Sequence, residues 1–211
     1  MPDRAVVFID GNNWFHAIRD IGVDDRARLD YWAISLKLLG PRVWVGTRYY
    51  IGRVPQRGDT RLYGDQRRFL ATLTAQDARI SAHLGRLEPR TVDDPAAREL
   101  QTYLSGLAVR IDQRVYHDLL RIARSHRNAE VMVEKAIDVM LAVDLVVMAE
   151  RDELDAAYVL SADGDFTPAV TAVKAHGKKV YAVSPAHGAQ LAAVVDSFIR
   201  PTREWFGDCY R

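Results

Sequence analysis

The sequence predicts an α/β fold in which helices cover both faces of a mostly parallel sheet. Short apolar runs of strand length alternate along the chain with longer segments whose apolar residues recur at helical spacing. The 211 residues, 48% of them hydrophobic, suffice for one core with an added segment. Because no stretch rich in proline, glycine and serine divides the chain, we expect a single domain over residues 1–211.

The first half of the chain alternates between predicted strands and predicted helices. The first strand is the apolar run that leads to Asp10, and Gly40 and Pro41 end the second helix. A segment rich in β-branched and aromatic residues follows, which is typical of a strand. In chain order these elements are a strand at 4–10, a helix from 12 or 13 to 19, a helix at 29–39, a strand at 43–51, a helix at 61–77 and an extended segment at 80–92.

The second half begins with a long helical stretch and then alternates again. Apolar residues recur at helical spacing through residues 94–127, which predicts one broken helix or two, inserted into the α/β domain. The remaining elements are a short segment at 129–133, a helix at 138–150, a strand at 156–161, a helix at 166–176, a strand at 178–183, a helix at 188–196 and an extended segment near 198–200.

Four aspartates stand where a parallel sheet would bring them together. Asp10 ends the first strand, Asp138 opens a helix, and Asp163 and Asp165 follow the strand at 156–161. We call these positions the first, second and third acidic blocks. Ligands of open parallel sheets bind outside the carboxyl ends of the strands, and carboxylates crowded there repel one another unless a cation is present. A site made only of carboxylate oxygens therefore predicts a divalent metal and, with it, phosphate chemistry.

Each acidic block also has a purely structural interpretation. Asp10 could belong to a turn that leads into a helix capped by Asn12 or Asn13, and Asp138 could cap its own helix. A turn and helix cap after the strand at 156–161 would need only one acid. Asp144 lies six residues after Asp138, about 240° around a helix, so we expect it outside the site. The sequence leaves open whether Glu134 joins the site.

The charge of the chain is unevenly distributed although its net value is only +1. Residues 42–128 contain sixteen arginines, no lysine and nine acidic residues, whereas residues 129–211 carry an excess of five negative charges. The planar guanidinium group suits phosphate recognition, and a basic region beside an acidic metal site favours a polyanionic substrate. A solvated arginine surface remains the alternative for any single residue.

Several functional classes are excluded by the same sequence. The single cysteine, Cys209, forms no internal disulfide, and the six histidines show no zinc-binding spacing. No apolar run approaches the ~20 residues that span a bilayer, and the N-terminus lacks the features of a signal peptide. Phosphate-binding loops of the nucleotide-binding type are also missing. We therefore expect a cytoplasmic protein without membrane contact.

Taken together, the acidic blocks resemble the NYN domain family, also called LabA-like, of the PIN-like nuclease superfamily. The matching segments are Phe8–Asn13, Glu134–Asp138 with Asp144, Ser161–Phe166 and Gly177–Val180. The resemblance implies a PIN-like three-layer sandwich with about five strands and a longer than usual insertion at 94–127. It also implies RNA cleavage dependent on Mg²⁺ or Mn²⁺.

The site residues implied by this resemblance are Asp10, Asp138, Asp163 and Asp165 as catalytic metal ligands and Asn13 as their polar companion. Ser161 would orient a ligand, and Arg48, Arg53 and Lys135 would follow the RNA backbone.

The leading hypothesis is a metal-dependent ribonuclease. The alternative is a non-catalytic nucleic-acid-binding or regulatory module, whose helices at 94–127 bind a protein partner or a second copy of the chain. A DNA nuclease or a hydrolase of small phosphoesters is a third possibility, because the same acids would serve it.

Overall fold

The structure is a computed structural model. It describes residues 2–23, 28–56, 59–92, 95–107, 110, 112–127 and 129–211. Two compact units are present, the larger formed by residues 1–86 with 134–211 and the smaller by residues 87–133. The smaller unit corresponds closely to the insertion expected at 94–127, and the organisation as one domain stays a prediction.

A single sheet forms the centre of the fold. Its strands in the described residues are β1 (Arg4–Asp10), β2 (Val43–Arg53), β3 (Ile80–Val92), β4 (Ala129–Lys135), β5 (Ala156–Leu160), β6 (Lys179–Val183) and β7 (Ser197–Ile199). The spatial order is β4-β3-β2-β1-β5-β6-β7, and every neighbouring pair from β3 to β7 is parallel.

The expected α/β class and parallel sheet are confirmed, but the expected count of about five strands is too low. The two extra strands are β4 and β7, which are the two edge strands of the sheet. They correspond to the short segment at 129–133, for which the sequence predicted no conformation, and to the extended segment near 198–200. Edge strands are half paired and often short, so β7, with three residues, produces only a weak pattern in the sequence.

The helices connect these strands. They are α1 (Gly11–Asp20), α2 (Tyr31–Leu39), α3 (Thr60–Thr74), α4 (Pro95–Ser105), α5 (Gln113–Arg127), α6 (Ile137–Glu150), α7 (Thr167–Ala175) and α8 (Ala189–Ala192). Side-chain caps fix several of their starts, as when Asp30 accepts a hydrogen bond from the backbone of Ala33. The helix expected at 188–196 is shorter than predicted, because only four of its residues are helical.

Two hydrophobic clusters make the larger unit a three-layer sandwich. Alternate residues of β1 point to opposite faces of the sheet, so Val7 packs on one side and Phe8 on the other. The first cluster contains Trp14 of α1 and Ile34 of α2, and the second contains Leu141 of α6 and Val170 of α7. The sheet is therefore held between two helical layers.

The smaller unit contains a helical pair. Helices α4 and α5 pack against each other, with Ala97, Leu104 and Ala123 buried. Both helices also carry exposed apolar side chains, namely Leu100, Tyr103, Val115, Leu119 and Ile122. The described part of the chain contains no helix with both the length and the apolar character that crossing a membrane requires.

Candidate metal centre

Asp10 is a buried carboxylate at the carboxyl end of β1. Its side chain is 4% exposed, and its Oδ1 accepts a hydrogen bond from the backbone N–H of Asn13 at 3.2 Å. This contact caps α1, while Oδ2 accepts a second hydrogen bond from Ser161 Oγ at 3.1 Å. A side chain at Gly11 would clash, because a Cβ there would lie 2.6 Å from the carbonyl oxygen of Tyr50. The end of β1 is therefore closely packed against β2.

A chain of hydrogen bonds joins the end of β1 to the end of β5. Asn13 Oδ1 accepts a hydrogen bond from the backbone N–H of Ala162 at 3.2 Å. Ser161, which also donates to Asp10, accepts one from the backbone N–H of Asp163 at 3.1 Å. These contacts, which we call the strand-end bridge, hold the first and third acidic blocks together.

Asp163 and Asp165 occupy the turn after β5. Asp163 Oδ1 accepts a hydrogen bond from the backbone N–H of Asp165 at 2.9 Å, which caps the short 3₁₀ helix Gly164–Phe166. The structural capping role and a role in ion binding are compatible here, because a carboxylate has about four acceptor positions and this cap uses one. The side chain of Asp165 is exposed to solvent.

Asp138 lies in the first turn of α6 and does not cap that helix. The capping position is Ala136, whose left-handed backbone (φ 69°) provides no side-chain hydrogen bond. Desolvation, followed by the negative charges of Asp163 and Asp165, raises the pKa of Asp138. The second acidic block therefore lies within electrostatic reach of the third.

A pocket of about 440 Å³ opens between these blocks. It is lined by Asp10, Asn12, Asn13, His16, Ala17, Asp20, Asp138, Asp163 and Ala186. Three of the four expected acids face it, and Asp165 is outside its lining. The sequence interpretation missed His16 and Asp20, although their spacing from Asn13 along α1 placed all three on one side of the helix.

The sequence profile of the NYN domain family matches residues 4–202. The chain belongs to the NYN domain family. The resemblance based on the acidic blocks is thereby confirmed, and with it the PIN-like nuclease fold. Among curated proteins, none matches this NYN domain.

A solved structure of a protein of unknown function from Vibrio parahaemolyticus is similar to this NYN domain. The two chains are 15% identical, with a TM-score of 0.54 over 94% of this chain and 93% of the other. At that level of identity the likeness shows the fold alone.

The donor chemistry of the NYN pocket fits Mg²⁺ or Mn²⁺, because its charged donors are carboxylate oxygens. Within the described residues, no group of three or more His, Cys, Asp or Glu side chains is close enough to hold a metal ion. Mg²⁺ retains several of its waters when bound, so one or two direct carboxylates are sufficient. The fit thus rests on oxygen donors and on accumulated negative charge.

Of the basic residues expected to bind RNA, Arg48 has a partner within the protein. Its Nη1 lies 2.8 Å from Asp144 Oδ2, which also accepts a hydrogen bond from the hydroxyl of Tyr50 at 2.7 Å. Desolvation, reinforced by the hydrogen bond to Asp144, raises the pKa of Tyr50. Asp144 thus ties α6 to β2, and an RNA contact through Arg48 would compete with this ion pair.

The other expected substrate residues are Arg53, Lys135 and Ser161, of which Arg53 lies at the carboxyl edge of the sheet, where the parallel strands end. Arg53 is the last residue of β2 and Lys135 the last of β4, and both side chains are exposed. Ser161 is fully buried in the strand-end bridge, so its position suits holding Asp10 rather than touching a substrate. The side chain of Glu134 lies outside the described residues.

Proposed function

We propose that this NYN domain is a metal-dependent ribonuclease that hydrolyses phosphodiester bonds in RNA. Asp10, Asp138, Asp163 and Asp165 would hold Mg²⁺ or Mn²⁺ at the carboxyl edge of the sheet, one or two of them directly and the others through waters bound to the ion. The observation that carries the proposal is the gathering of Asp138, Asp163 and Asp165, of which Asp138 and Asp163 line one pocket. Desolvation, followed by the negative charges of Asp163 and Asp165, raises the pKa of Asp138 there. No ion pair in the described part of the chain neutralises these three carboxylates, and a divalent cation would do so.

The residues of the chain would each perform a distinct task. Asp10 is held in place by the backbone of Asn13 and the hydroxyl of Ser161, so it presents its carboxylate without rearrangement. The pocket has room for a phosphodiester group beside Asp138 and Asp163. When bound, the metal would activate a water molecule and stabilise the leaving oxygen.

Charge outside the pocket would attract the substrate. The acidic pocket alone repels a polyanion, whereas the excess of arginine over residues 42–128 attracts one over long range. Contacts of exposed residues such as Arg53 and Lys135 with phosphates would give affinity without reading the base sequence. The single cysteine, Cys209, is buried and unpaired, which suits a reducing cytoplasm.

The decisive experiment removes two negative charges from the third acidic block. Asp163→Asn with Asp165→Asn keeps the size of both side chains, and the amide oxygen introduced at position 163 would still accept the capping hydrogen bond. We expect the rate of Mn²⁺-dependent cleavage of a single-stranded RNA to fall on the order of 100-fold or more. The rate is measured with an end-labelled oligonucleotide at saturating Mn²⁺.

The matched control is Glu150→Gln with Glu153→Gln, which makes the same charge change at two exposed residues at the opposite edge of the sheet. This control should cleave at the wild-type rate. Equal rates for wild type, the control and the aspartate variant would show that the acidic blocks do not catalyse the reaction.

A second candidate function is a non-catalytic nucleic-acid-binding or interaction module. The exposed apolar side chains of α4 and α5 favour it, because such a face suits a protein partner or a second copy of the chain. Salt-sensitive RNA binding by purified protein, with no cleavage in Mg²⁺ or Mn²⁺, would support this function over the first.

A further inference from the structure

Two arginines stand side by side at the carboxyl edge of the sheet. Arg53 ends β2, and its register partner on the parallel strand β3 is Arg86. Neighbouring strands are about 4.8 Å apart, and register partners on parallel strands point to the same face, so both arginine side chains leave the sheet from one face. Both side chains are exposed. We call Arg53 and Arg86 the arginine pair.

The arginine pair has no acidic partner within the described residues: neither guanidinium forms an ion pair or a hydrogen bond there. Asp59 caps α3 and Asp65 pairs with Arg68. Glu88, two residues after Arg86 in β3, has an interaction of its own. Like charges directly opposite each other on neighbouring strands destabilise a sheet. An anion bound between them would convert this repulsion into attraction.

The backbone around Arg53 is fixed by α3. Gln66 donates a hydrogen bond to the carbonyl oxygen of Gly52 at 2.7 Å and accepts one from the backbone N–H of Val54 at 2.8 Å. Val54 is itself buried. Because the residues on both sides of Arg53 are held in this way, its Cα is pre-positioned and less ordering is needed when a ligand binds.

The arginine pair and the acidic pocket both lie at the carboxyl edge of the sheet, but at different levels along the direction of the strands. Asp10 is the register partner of Tyr50, and Arg53 comes three residues later on the same strand. At about 3.3 Å per residue, the Cα of Arg53 lies roughly 10 Å beyond the level of Asp10. A strand of nucleic acid crossing this edge would therefore meet the two sites with different phosphates.

We infer that the arginine pair is a phosphate-binding site for the RNA backbone, holding a phosphate other than the one that is cleaved. Two planar guanidinium groups on one face can share the oxygens of a single phosphate through charge-assisted hydrogen bonds. The inference rests on the proposed function, because it names a subsite for the same substrate.

The test compares the salt dependence of RNA binding. Arg53→Gln with Arg86→Gln is measured against the parent protein in an Asp163→Asn, Asp165→Asn background, where cleavage and acidic repulsion are both reduced. The ligand is a fluorescently labelled single-stranded RNA. Loss of one shared phosphate contact should reduce the slope of log K against log salt concentration by about 1 and weaken binding roughly tenfold.

Two further variants make this result specific. Arg53→Lys with Arg86→Lys keeps the charges and should retain most of the salt slope, with a smaller loss of affinity from the missing fork geometry. Arg151→Gln with Lys179→Gln removes two exposed charges at the amino edge of the sheet and should change neither quantity. No variant should melt below the parent protein, because every substituted side chain is exposed. Arg53→Gln with Arg86→Gln, which removes two neighbouring like charges, should melt at the same or a slightly higher temperature.

The possible outcomes separate this inference from the ribonuclease proposal. If Arg53→Gln with Arg86→Gln binds RNA as the control Arg151→Gln with Lys179→Gln does, the inference is overturned, while cleavage by the wild-type protein would still support the nuclease proposal. If the slope falls as expected but the wild type cleaves no RNA, the inference stands and the nuclease proposal fails. A parent protein that binds no RNA would overturn the inference outright.

Discussion

The amino edge of the sheet, where the parallel strands begin, and the carboxyl edge, where they end, differ in how their charges are paired. At the amino edge, where the strands begin, charges of opposite sign pair within the protein. Arg4 contacts Asp155 through its guanidinium and its backbone N–H, at 2.9 and 2.8 Å, and Lys178 pairs with Asp152. The guanidinium of Arg4 holds the pKa of Asp155 well below its usual range.

At the carboxyl edge, charges of like sign are collected instead. Asp138 lies near Asp163 and Asp165 with a raised pKa, and Arg53 stands beside Arg86. Charges of opposite sign that pair within the protein contribute to the stability of the fold without any ligand. Like charges that are held together by the fold destabilise it slightly, and they become favourable only when a ligand of opposite sign arrives.

The largest expected difference between the edges is their response to a divalent ion. An ion that binds only the folded protein adds about 2.7 kcal/mol to the free energy of unfolding at 100 times its dissociation constant. We expect Mn²⁺ to stabilise the wild type in this way in urea unfolding experiments. Asp163→Asn with Asp165→Asn should lose the effect, and Glu150→Gln with Glu153→Gln should keep it. A stabilisation that survives the aspartate substitutions would place the ion elsewhere.

The next effect concerns a structural arginine at the amino edge. Arg42 donates hydrogen bonds to the hydroxyls of Tyr158 and Tyr181, both at 2.8 Å, and lies 5.0 Å from the centre of the Tyr181 ring. Arg42→Met should lower the free energy of unfolding by about 2 kcal/mol, because two charge-assisted hydrogen bonds are lost. Cleavage per folded molecule should not change.

Arg151→Met is the control for this substitution, because Arg151 is an exposed arginine at the same edge. Its unfolding free energy should match the wild type. A loss of RNA binding in Arg42→Met, with stability intact, would contradict the division between structural and ligand-binding charges.

The smallest expected effect is the pH dependence of stability, which has opposite signs at the two edges. The lowered pKa of Asp155 contributes stability that is present above the ordinary aspartate pKa of 3.8 and is lost as the pH falls. The raised pKa of Asp138 contributes stability that is present below 3.8 and is lost as the pH rises through the higher folded-state value.

Unfolding free energies measured in chelator between pH 3 and 8 would test both signs. Asp155→Asn should reduce the loss of unfolding free energy as the pH falls. Asp138→Asn should make the metal-free protein slightly more stable at neutral pH. A destabilised Asp138→Asn protein under these conditions would mean that the carboxylate is already neutralised from within the chain.

The parts of the fold that were predictable from sequence are those with a strong local pattern. The first strand was expected at 4–10 and is found at Arg4–Asp10, because a central parallel strand is buried on both faces and appears as an unbroken apolar run. The short helix α8 and the edge strand β7 contain too few residues for their period to be distinct. Their lengths are set by tertiary packing.

The positions of candidate site residues could be predicted from the sequence where these residues follow strand ends. They could not be predicted where a contact between residues far apart in the chain determines them. Asp10 and Asp163 face one pocket because neighbouring parallel strands end at the same edge. Arg48 was expected to contact RNA, but its ion pair joins it to Asp144, 96 positions along the chain, which no local pattern indicates. The proximity of Arg86 to Arg53 likewise follows from strand register alone.

The strand-end bridge has a practical consequence for handling the protein. Since Asp10 and the turn after β5 are joined by contacts of the protein with itself, the scaffold does not depend on the proposed ion. Dialysis against a chelator should thus yield an intact apoprotein that can be reloaded with a paramagnetic ion. Magnetic resonance spectra of the reloaded sample would then report the coordination of that ion directly.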